Sequence, residues 1–463
     1  MKKNNMNPLN GYIKKLQKPI RYEYKPALHD MMEVKPKKHF WNNTFKKQSK
    51  KLSNSNFEEF MKNAPIDIID DEKLKIVAEI NDIYLTFKNP AEPSVKNLVL
   101  RGPSLKIYEG KVHAVIGESG SGKSVITSLL YGLTGNNAVI ESGSVKLYGL
   151  EVHNFTLKDW EKAKLRGRIV SAIFQNPMSI LDPTTKVGFQ IMEGMLINKV
   201  VKNKKEAYNE AVKYLKMTKI NNPEKVMNLY PHELSGGMIQ RIAIAAIISL
   251  KPKLIVMDEP TTALDPTVQA LVLDIIHELQ QLLKISIVFI THDLGVVASI
   301  ADYINIMYAG QIVETGTREE ILKNPQHPYT WGLISAMPDF NTGKKLGVIR
   351  GAVPSNLNNI VGDAFAVRND YALGIDFEQE PPMYQISETH FVKSNLFNEK
   401  ASKIEEPKII KYLWNIYNTK MNEKYGSAAK TYVNDTTQKH YEKLAAEHNK
   451  KIDEFNKINK KEA

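Results

Sequence analysis

The sequence predicts an α/β fold built on a largely parallel β-sheet. From about Lys73 to Asn324, short apolar runs alternate with longer segments of helical pattern, an order typical of strands joined by crossover helices. Three of these runs, Val112–Ile116, Leu254–Met257 and Ile285–Ile290, are rich in β-branched and aliphatic residues and are expected to be buried strands. Ligands bind at the carboxyl ends of strands in such sheets, so the residues that follow each run are candidates for a binding site.

The chain divides into four zones, and its length supports two or three domains. Residues 1–72 form a basic extension rich in Lys and Asn, with little regular structure expected up to residue 70. Residues 73–324 form the α/β domain, and residues 325–395 form a small appended domain that is richer in Pro, Gly and Asn. Residues 396–463 are expected to be a Lys-rich helical extension.

The two ends carry most of the positive charge, which is +12 for the 463 residues. Residues 1–62 contain 15 Lys and Arg against 5 Asp and Glu, and residues 395–463 contain 14 against 10. Solvated, partly disordered tails are the plain interpretation. A surface for anionic lipid headgroups or nucleic acid is the alternative. Neither end interleaves an RNA-binding motif, so no nucleic acid partner is expected.

Composition excludes several kinds of protein. The chain has no cysteine, which rules out disulfides, thiolate zinc sites and Cys-ligated iron–sulfur clusters. Residues 1–22 are charged and lack the apolar core of a secretory signal. The most apolar run, Ile242–Leu250, is far shorter than the roughly 20 residues of a membrane helix. We therefore expect a cytosolic protein that can dock on a membrane component.

The segment GESGSGKS, Gly117 to Ser124, carries the strongest chemical signal. It follows the strand VHAVI and precedes the helical run SVITSLLYGL, which is the context of a phosphate-binding P-loop. Its glycines let successive N–H groups point at phosphate oxygens, and the helix N-terminus adds a favourable dipole. Lys123 is expected to reach the β- and γ-phosphates, and the Ser124 hydroxyl to ligate Mg²⁺.

A second motif, LIVMDEP, ends a predicted strand in two carboxylates. Asp258 is expected to bind Mg²⁺, directly or through water, and Glu259 to orient and deprotonate the attacking water. An acidic pair after a strand is by itself more often a helix cap, and the P-loop on the same sheet favours the catalytic interpretation.

Two further polar residues follow apolar runs of the same sheet. His292, in FITHD, is placed where a neutral imidazole could contact the γ-phosphate, although a lone His at a strand end is usually structural. Gln175, in SAIFQNP, could sense Mg²⁺ or the attacking water, but carries no signal alone.

The stretch LSGGM, Leu234 to Met238, has the composition of a phosphate loop but no lysine. It opens the helical run MIQRIAIAAIISL, so Ser235 and the two glycines would present a hydroxyl, N–H groups and a helix N-terminus to an anion. Because the chain has one lysine-containing P-loop, we predict that this stretch caps a nucleotide bound to a second subunit.

In order and spacing, these motifs resemble the nucleotide-binding domain of ABC transporters over about residues 75–320. The resemblance implies a RecA-like parallel core, an antiparallel β subdomain, a helical signature subdomain, and a head-to-tail dimer that holds two ATP with Mg²⁺. It also implies that Glu259, His292 and Gln175 are catalytic, and that Asp265, in the turn Ala263–Asp265, communicates between the sites. The residues implied to contact this chain's own ATP are Phe87 (with Tyr84 as the alternative), Gly117, Glu118, Ser119, Gly120, Ser121, Gly122, Lys123 and Ser124; those for the partner's ATP are Leu234, Ser235, Gly236, Gly237 and Met238; and those for Mg²⁺ are Ser124, Gln175 and Asp258.

Longer stretches look like the ATPase subunits of oligopeptide and dipeptide importers, among them YPHELSGGMIQRIAIA and DEPTTALDPTVQA. NPQHPYTWGLISAMP, Asn324 to Pro338, is similar to the start of that subfamily's C-terminal domain. The resemblance implies ATP hydrolysis that powers peptide import at the cytoplasmic face of the cell membrane. The implied partners are a second ABC ATPase subunit, two transmembrane permeases, and an extracellular peptide-binding protein that acts through them. An importer of another solute, such as nickel, would look alike.

The C-terminal domain departs from this subfamily in one respect. Relatives commonly carry four cysteines that ligate an iron–sulfur cluster, whereas Asp363, Asn369, Asp376 and Thr389 stand at or near those places. Oxygen and amide groups cannot replace thiolates on such a cluster, so no iron–sulfur cluster is expected. A hard cation is an alternative occupant, but a solvated loop is the simpler expectation.

Two other classes of function are compatible with parts of the sequence. A soluble ABC ATPase that acts on ribosomes or DNA would use the basic ends, but such relatives usually fuse two cassettes and this chain has one P-loop. A catalytically inactive regulatory partner is disfavoured because Lys123, Glu259 and His292 are all intact.

Overall fold

The computed structural model describes residues 54–425, apart from residues 70, 176–179, 263, 338–346, 399–400 and 402–403. Most of the two basic ends, and Ala263, therefore lie outside the described residues. Within the described part, no helix has both the length and the apolar character needed to cross a membrane.

Strands and helices alternate along most of the described chain. The strands are β1 (Ile66–Ile69), β2 (Glu72–Lys88), β3 (Lys96–Arg101), β4 (Leu105–Tyr108), β5 (Val112–Ile116), β6 (Ala138–Leu147), β7 (Leu150–Glu151), β8 (Val170–Ile173), β9 (Leu254–Asp258), β10 (Ser286–Thr291), β11 (Tyr303–Tyr308), β12 (Gln311–Thr317), β13 (Met383–Gln385) and β14 (Phe391–Lys393). The helices are α1 (Asn54–Lys62), α2 (Lys123–Ser128), α3 (Leu157–Ala163), α4 (Val187–Ile197), α5 (Lys204–Met217), α6 (Pro223–Val226), α7 (Gly236–Ile248), α8 (Pro266–Leu283), α9 (Leu294–Ile300), α10 (Arg318–Lys323), α11 (Pro328–Ser335) and α12 (Lys408–Tyr425).

The larger sheet has the strand order β13-β14-β12-β11-β5-β10-β9-β8. Strands β11, β5, β10, β9 and β8 are mutually parallel, whereas β12, β14 and β13 extend the sheet in antiparallel fashion. The prediction of a largely parallel sheet is thus confirmed. Every residue of β5 and β10 is buried, because packed layers cover both faces.

The smaller sheet is antiparallel, with the order β1-β2-β6-β7 and with β3 and β4 paired to β2. Helix α1 packs on it through Phe57, whose ring contacts that of Tyr148 edge-on at 6.0 Å between centroids. The expectation of little regular structure up to residue 70 is therefore wrong for the segment that holds α1 and β1. The apolar side chains of Phe57 and Ala64 are buried in the core, which overrides the polar composition of this segment.

A group of helices, α4, α5, α6 and α7, packs beside the parallel sheet. The buried aliphatic side chains of α7, including Ile239, Ile242 and Ile244, join those of α4 and α5 and of strands β9 and β10 in one core. This group matches the helical subdomain expected from the resemblance. The helical run predicted after LSGGM begins at Gly236, so the signature stretch lies at the start of α7.

The C-terminal region, residues 325–395, continues the larger sheet through β13 and β14. Strand β14 pairs with β12, and the buried side chains of Tyr329 and Phe365 share a core with Ile116 of β5. Helix α12 reaches the same core through Ile410 and Leu413. The division of the chain at residues 324/325 and 395/396 stays a prediction.

Leu413→Ala should lower the free energy of unfolding by about 2–5 kcal/mol, because it leaves a cavity in this core, where Leu413 is 3% exposed. The neighbouring Tyr412 is 60% exposed, so Tyr412→Ala should stay within about 0.5 kcal/mol of the unchanged protein. Urea unfolding of both variants checks this. Equal losses would contradict the packing of α12.

Candidate active site

The predicted P-loop, Gly117–Ser124, connects β5 to α2 at the carboxyl edge of the parallel sheet. A Cβ on Gly117 would lie 2.1 Å from the carbonyl oxygen of Met307, so only glycine fits where the loop leaves β5. The N–H of Gly310 donates to the carbonyl of Ser121 at 2.9 Å. The turn after β11 therefore supports the loop from behind.

Lys123 occupies the interior of this loop. Its Nζ donates to the carbonyl oxygens of Gly117 at 2.8 Å and Glu118 at 2.9 Å, and the residue is 7% exposed. Burial lowers the pKa of Lys123, although the carboxylates of Glu259 and Asp258 oppose that effect. Among the described residues, carbonyl oxygens are the hydrogen-bond partners of this buried ammonium, and an anionic group such as a phosphate would compensate its charge better.

Asp258 ends β9, and its carboxylate lies near the Ser124 side chain at the start of α2. Burial raises the pKa of Asp258, while the Ser124 hydrogen bond lowers it. A carboxylate beside a hydroxyl fits Mg²⁺, which is usually held by one or two carboxylates plus substrate phosphates and water. Among the described residues no group of three or more His, Cys, Asp or Glu could hold a metal.

Glu259 is the centre of a hydrogen-bonded group. Its Oε2 accepts from Gln175 Nε2 and from Thr262 Oγ1, each at 3.0 Å. Its Oε1 lies 3.3 Å from His292 Nδ1. Its N–H donates to the carbonyl of Ile290 at 3.0 Å. The structure thus brings together the three predicted catalytic side chains, from the ends of three different strands.

The backbone of Glu259 is left-handed, with φ of +47°. A non-glycine residue in this region is held there at a cost of about 1–3 kcal/mol. The side chain is 17% exposed, against 55% for His292. The two shorter hydrogen bonds, from Gln175 and Thr262, both use Oε2, and Oε1 has the longer contact of 3.3 Å with His292.

Thr262 was missed by the sequence reasoning. It stands three residues after Glu259 in DEPTT, and a hydroxyl that returns to the preceding carboxylate within a tight turn is the signal that could have revealed it. Gln175, also predicted as an Mg²⁺ ligand, donates to Glu259 through its Nε2. Its role toward a metal stays a prediction.

The signature residues Leu234–Met238 form an uncovered helix N-terminus. Ser235 caps α7 by accepting from the N–H of Met238 at 3.4 Å. Ser235 and Gly236 are exposed, and a Cβ on Gly236 would meet nothing within 4 Å. In the described chain, no hydrogen bond or ion pair joins this stretch to the P-loop. The N-terminus of α7 is therefore open to an anion from outside this chain.

Asp265, the predicted inter-site residue, caps α8 by accepting from the N–H of Val268 at 3.0 Å. The side chain of Val268 in turn lies against α7, since a Cβ on Gly237 would be 2.6 Å from its Cγ1. Val268 therefore contacts both Asp265 and Gly237 of the signature stretch.

The two aromatic candidates for adenine differ in their surroundings. Tyr84 lies against Gly102, and its pKa is raised by burial and then by the nearby carboxylates of Glu380 and Asp82. Phe87 is partly buried at the edge of an apolar core. An apolar, partly exposed ring suits stacking better than a tyrosine inside a polar group, and Phe87 stays the predicted residue.

The side chains at the cysteine places are held by protein partners. The N–H of Asp363 donates to the carbonyl of Asp376, whose Oδ1 accepts from Asn395 Nδ2 at 2.7 Å. Thr389 donates to Glu320 Oε2 at 2.7 Å. Burial raises the pKa of Asp363 to about 6. Hydrogen bonds as well as packing therefore maintain this region.

Comparison with known proteins agrees with this geometry. Residues 100–262 match the family model for ABC transporters, and residues 313–375 match that for the oligopeptide/dipeptide transporter C-terminal region. The oligopeptide transport ATP-binding protein OppD of Bacillus subtilis is 44% identical over 336 residues, which is 72% of this chain and 92% of that protein. This chain belongs to the family of oligopeptide/dipeptide transport ATP-binding proteins.

Other members of the family are similar over the same extent. AmiE of Streptococcus pneumoniae, an oligopeptide transport ATP-binding protein, is 45% identical to this chain. The match covers 71% of this chain and 91% of the length of AmiE. OppD of Mycoplasma genitalium is 37% identical over 73% and 93%. A solved ATP-binding cassette with ADP and Pi is 24% identical over 52% of this chain and 98% of its own, with a TM-score of 0.46, and is too distant to add to the assignment. The resemblance seen in the motifs is confirmed.

Gly237→Ala should lower the free energy of unfolding by about 1–3 kcal/mol, because its new methyl group would overlap the stiff side chain of Val268. Gly236→Ala, one residue earlier in α7, has open space and should be neutral or slightly stabilising. Thermal unfolding midpoints of the two variants check this. A loss at Gly236 equal to that at Gly237 would contradict the close contact of α7 with α8.

Proposed function

We propose that this family member is the ATP-binding and ATP-hydrolysing subunit of an ABC importer for oligopeptides or dipeptides, and that it works through the site at the carboxyl edge of the parallel sheet. The observation that carries the proposal is the arrangement around Glu259. A carboxylate held by Gln175, Thr262 and His292 lies beside a P-loop in which Lys123 donates to two backbone carbonyls. The C-terminal match points to peptide transport among ABC systems.

Nucleotide binding would use the P-loop first. Lys123 would exchange its two carbonyl contacts for the β- and γ-phosphate oxygens, and the loop N–H groups would hold the rest. Asp258 and Ser124 would hold Mg²⁺, which when bound would neutralise phosphate charge. Phe87 would stack on the adenine.

Hydrolysis would use Glu259 as the general base. Gln175 and Thr262 fix the carboxylate through Oε2, so that Oε1 is directed to accept the proton of the attacking water. His292, close to Oε1 and half exposed, would contact the γ-phosphate. Because Gln175 follows β8 by two residues and donates to Glu259, displacement of Gln175 would alter the support of the base.

A second ATPase subunit would complete the site. The exposed N-terminus of α7, with Ser235 and Gly236, would bind the γ-phosphate of ATP held by the P-loop of that partner. The partner's signature stretch would do the same for this chain. Two permeases and an extracellular peptide-binding protein would form the rest of the importer, with this subunit peripheral on the cytoplasmic face of the membrane.

A mild-detergent purification of the tagged protein, with its partners identified by mass spectrometry, tests the assembly. Two polytopic permeases and a second ATPase are the expected partners. If the permeases are specific for another solute, such as nickel, the proposed ATPase activity stands and the proposed peptide substrate is wrong. Ribosomal or DNA-bound partners without membrane proteins would overturn the proposal.

Glu259→Gln should retain ATP binding and favour the nucleotide-bound dimer, because the γ-phosphate contacts remain while the base is lost. Phosphate release should fall by roughly 10²–10⁴-fold. Glu278→Gln, at an exposed position of α8 whose partner is Lys219, is the matched control and should hydrolyse ATP normally. Unchanged turnover in Glu259→Gln would refute the assigned base.

Ser235→Arg should block the partner's nucleotide site while this chain's own P-loop still binds ATP, because an arginine would fill the open space at the start of α7. Nucleotide binding to the purified chain and ATPase activity of the complex measure the two effects separately. Ser355→Arg, an exposed serine of the C-terminal region, serves as the control. Loss of this chain's own ATP binding would contradict the assignment of Ser235 to the partner's site.

A further inference from the structure

Two side chains of the C-terminal region reach into the P-loop at Glu118. The hydroxyl of Tyr329, on α11, accepts from the N–H of Glu118 at 3.0 Å. The guanidinium of Arg368, in the 3₁₀ turn Ala366–Arg368, places Nη2 3.1 Å from Glu118 Oε1. Tyr329 is fully buried, and the Arg368 side chain is 6% exposed. Tyr329 and Arg368 are therefore interior groups, whereas the Glu118 side chain is 30% exposed.

Arg368 is held in place from several directions. Its Nε donates to the carbonyl of Arg350 at 2.7 Å, and its Nη1 donates to the hydroxyl of Tyr308 at 3.2 Å. Its guanidinium carbon lies 5.6 Å from the ring centre of Tyr308 and 6.0 Å from that of Phe365. The side chain thus loses little further freedom when it pairs with a carboxylate.

The negative charge of Glu118 opposes the binding of a polyphosphate to the loop. It places a carboxylate inside a segment that is to receive a polyphosphate, and like charges a few ångströms apart repel each other. Its Oε1 is buried and has no hydrogen-bond partner of good geometry among the described residues. The charge of Arg368 is what compensates it.

We propose that Arg368 is a positioning residue for the nucleotide site, which neutralises Glu118 and, with Tyr329, fixes the first turn of the P-loop so that ATP affinity depends on the C-terminal region. This inference rests on the proposed binding of ATP at the P-loop. It assigns to the oligopeptide-transporter-type C-terminal region an indirect part in nucleotide binding, through its contacts with the P-loop.

The test measures ATP and ADP dissociation constants for the full-length protein at low and moderate salt. Arg368→Ala should weaken ATP binding roughly tenfold, a size typical of coupling between two sites. It should weaken ADP binding less, because ADP carries less charge, and the loss should shrink as salt rises. Lys411→Ala removes the same charge from α12, where Lys411 pairs with Glu406 at 3.8 Å, and should leave ATP affinity unchanged.

A double substitution distinguishes charge compensation from a general disturbance. If Arg368 acts by neutralising Glu118, the variant with both Glu118→Gln and Arg368→Ala should bind ATP as well as Glu118→Gln alone. Arg368→Lys, which keeps the charge, should recover part of the affinity that Arg368→Gln loses. These two variants also decide the question if Arg368→Ala fails to fold.

Three outcomes would overturn the inference: unchanged ATP affinity in folded Arg368→Ala, equal losses for ATP and ADP, or no rescue by Glu118→Gln. Failure of the proposed function would give a different result from failure of this inference. If the proposed function is wrong, the unchanged protein would not bind ATP, or Lys123→Ala would bind it as well as the unchanged protein.

Discussion

The hydrogen-bonded register of three parallel strands is the constraint on which the candidate site depends. In β10, Ile290 pairs with Asp258 of β9, and Thr291 pairs with Ile116 of β5. Three strands from distant parts of the chain therefore end at the same level. The P-loop, Glu259 and His292 follow directly, and a one-residue slip in either pairing would separate them. Burial of every residue in β5 and β10 is what holds that register.

Local contacts at this edge of the sheet position the side chains of the candidate site. The N–H of Glu259 donates to the carbonyl of Ile290, which helps to hold its left-handed backbone. Its carboxylate is oriented by Thr262 of the same turn and by Gln175 and His292 from two other segments. Lys123 faces the same edge from the P-loop. The P-loop, the acidic end of β9 and His292 therefore lie together at one edge of the sheet.

The C-terminal region is an integral part of this architecture. It extends the larger sheet through β14, shares a core with the strand that leads into the P-loop, and touches Glu118 through Tyr329 and Arg368. Hydrogen bonds such as that between Asp376 and Asn395 stabilise it. The indole N–H groups of Trp331 and Trp414 both donate to the carbonyl of Pro325 at 2.9 Å, which ties α12 to α11.

The sequence by itself determined the parallel sheet, the P-loop, the acidic strand end and the family, because strands buried on both faces and phosphate loops impose local patterns of residue type. It also identified Glu259, His292 and Gln175 as candidates. It did not reveal Thr262 as a support of Glu259, nor the regular structure of α1 and β1. Nor did it reveal the contact of Arg368 with Glu118, residues 250 positions apart in the chain. Only the tertiary structure decided these, since long-range contacts depend on which surfaces the packed sheet brings together, and no local pattern of residues records that.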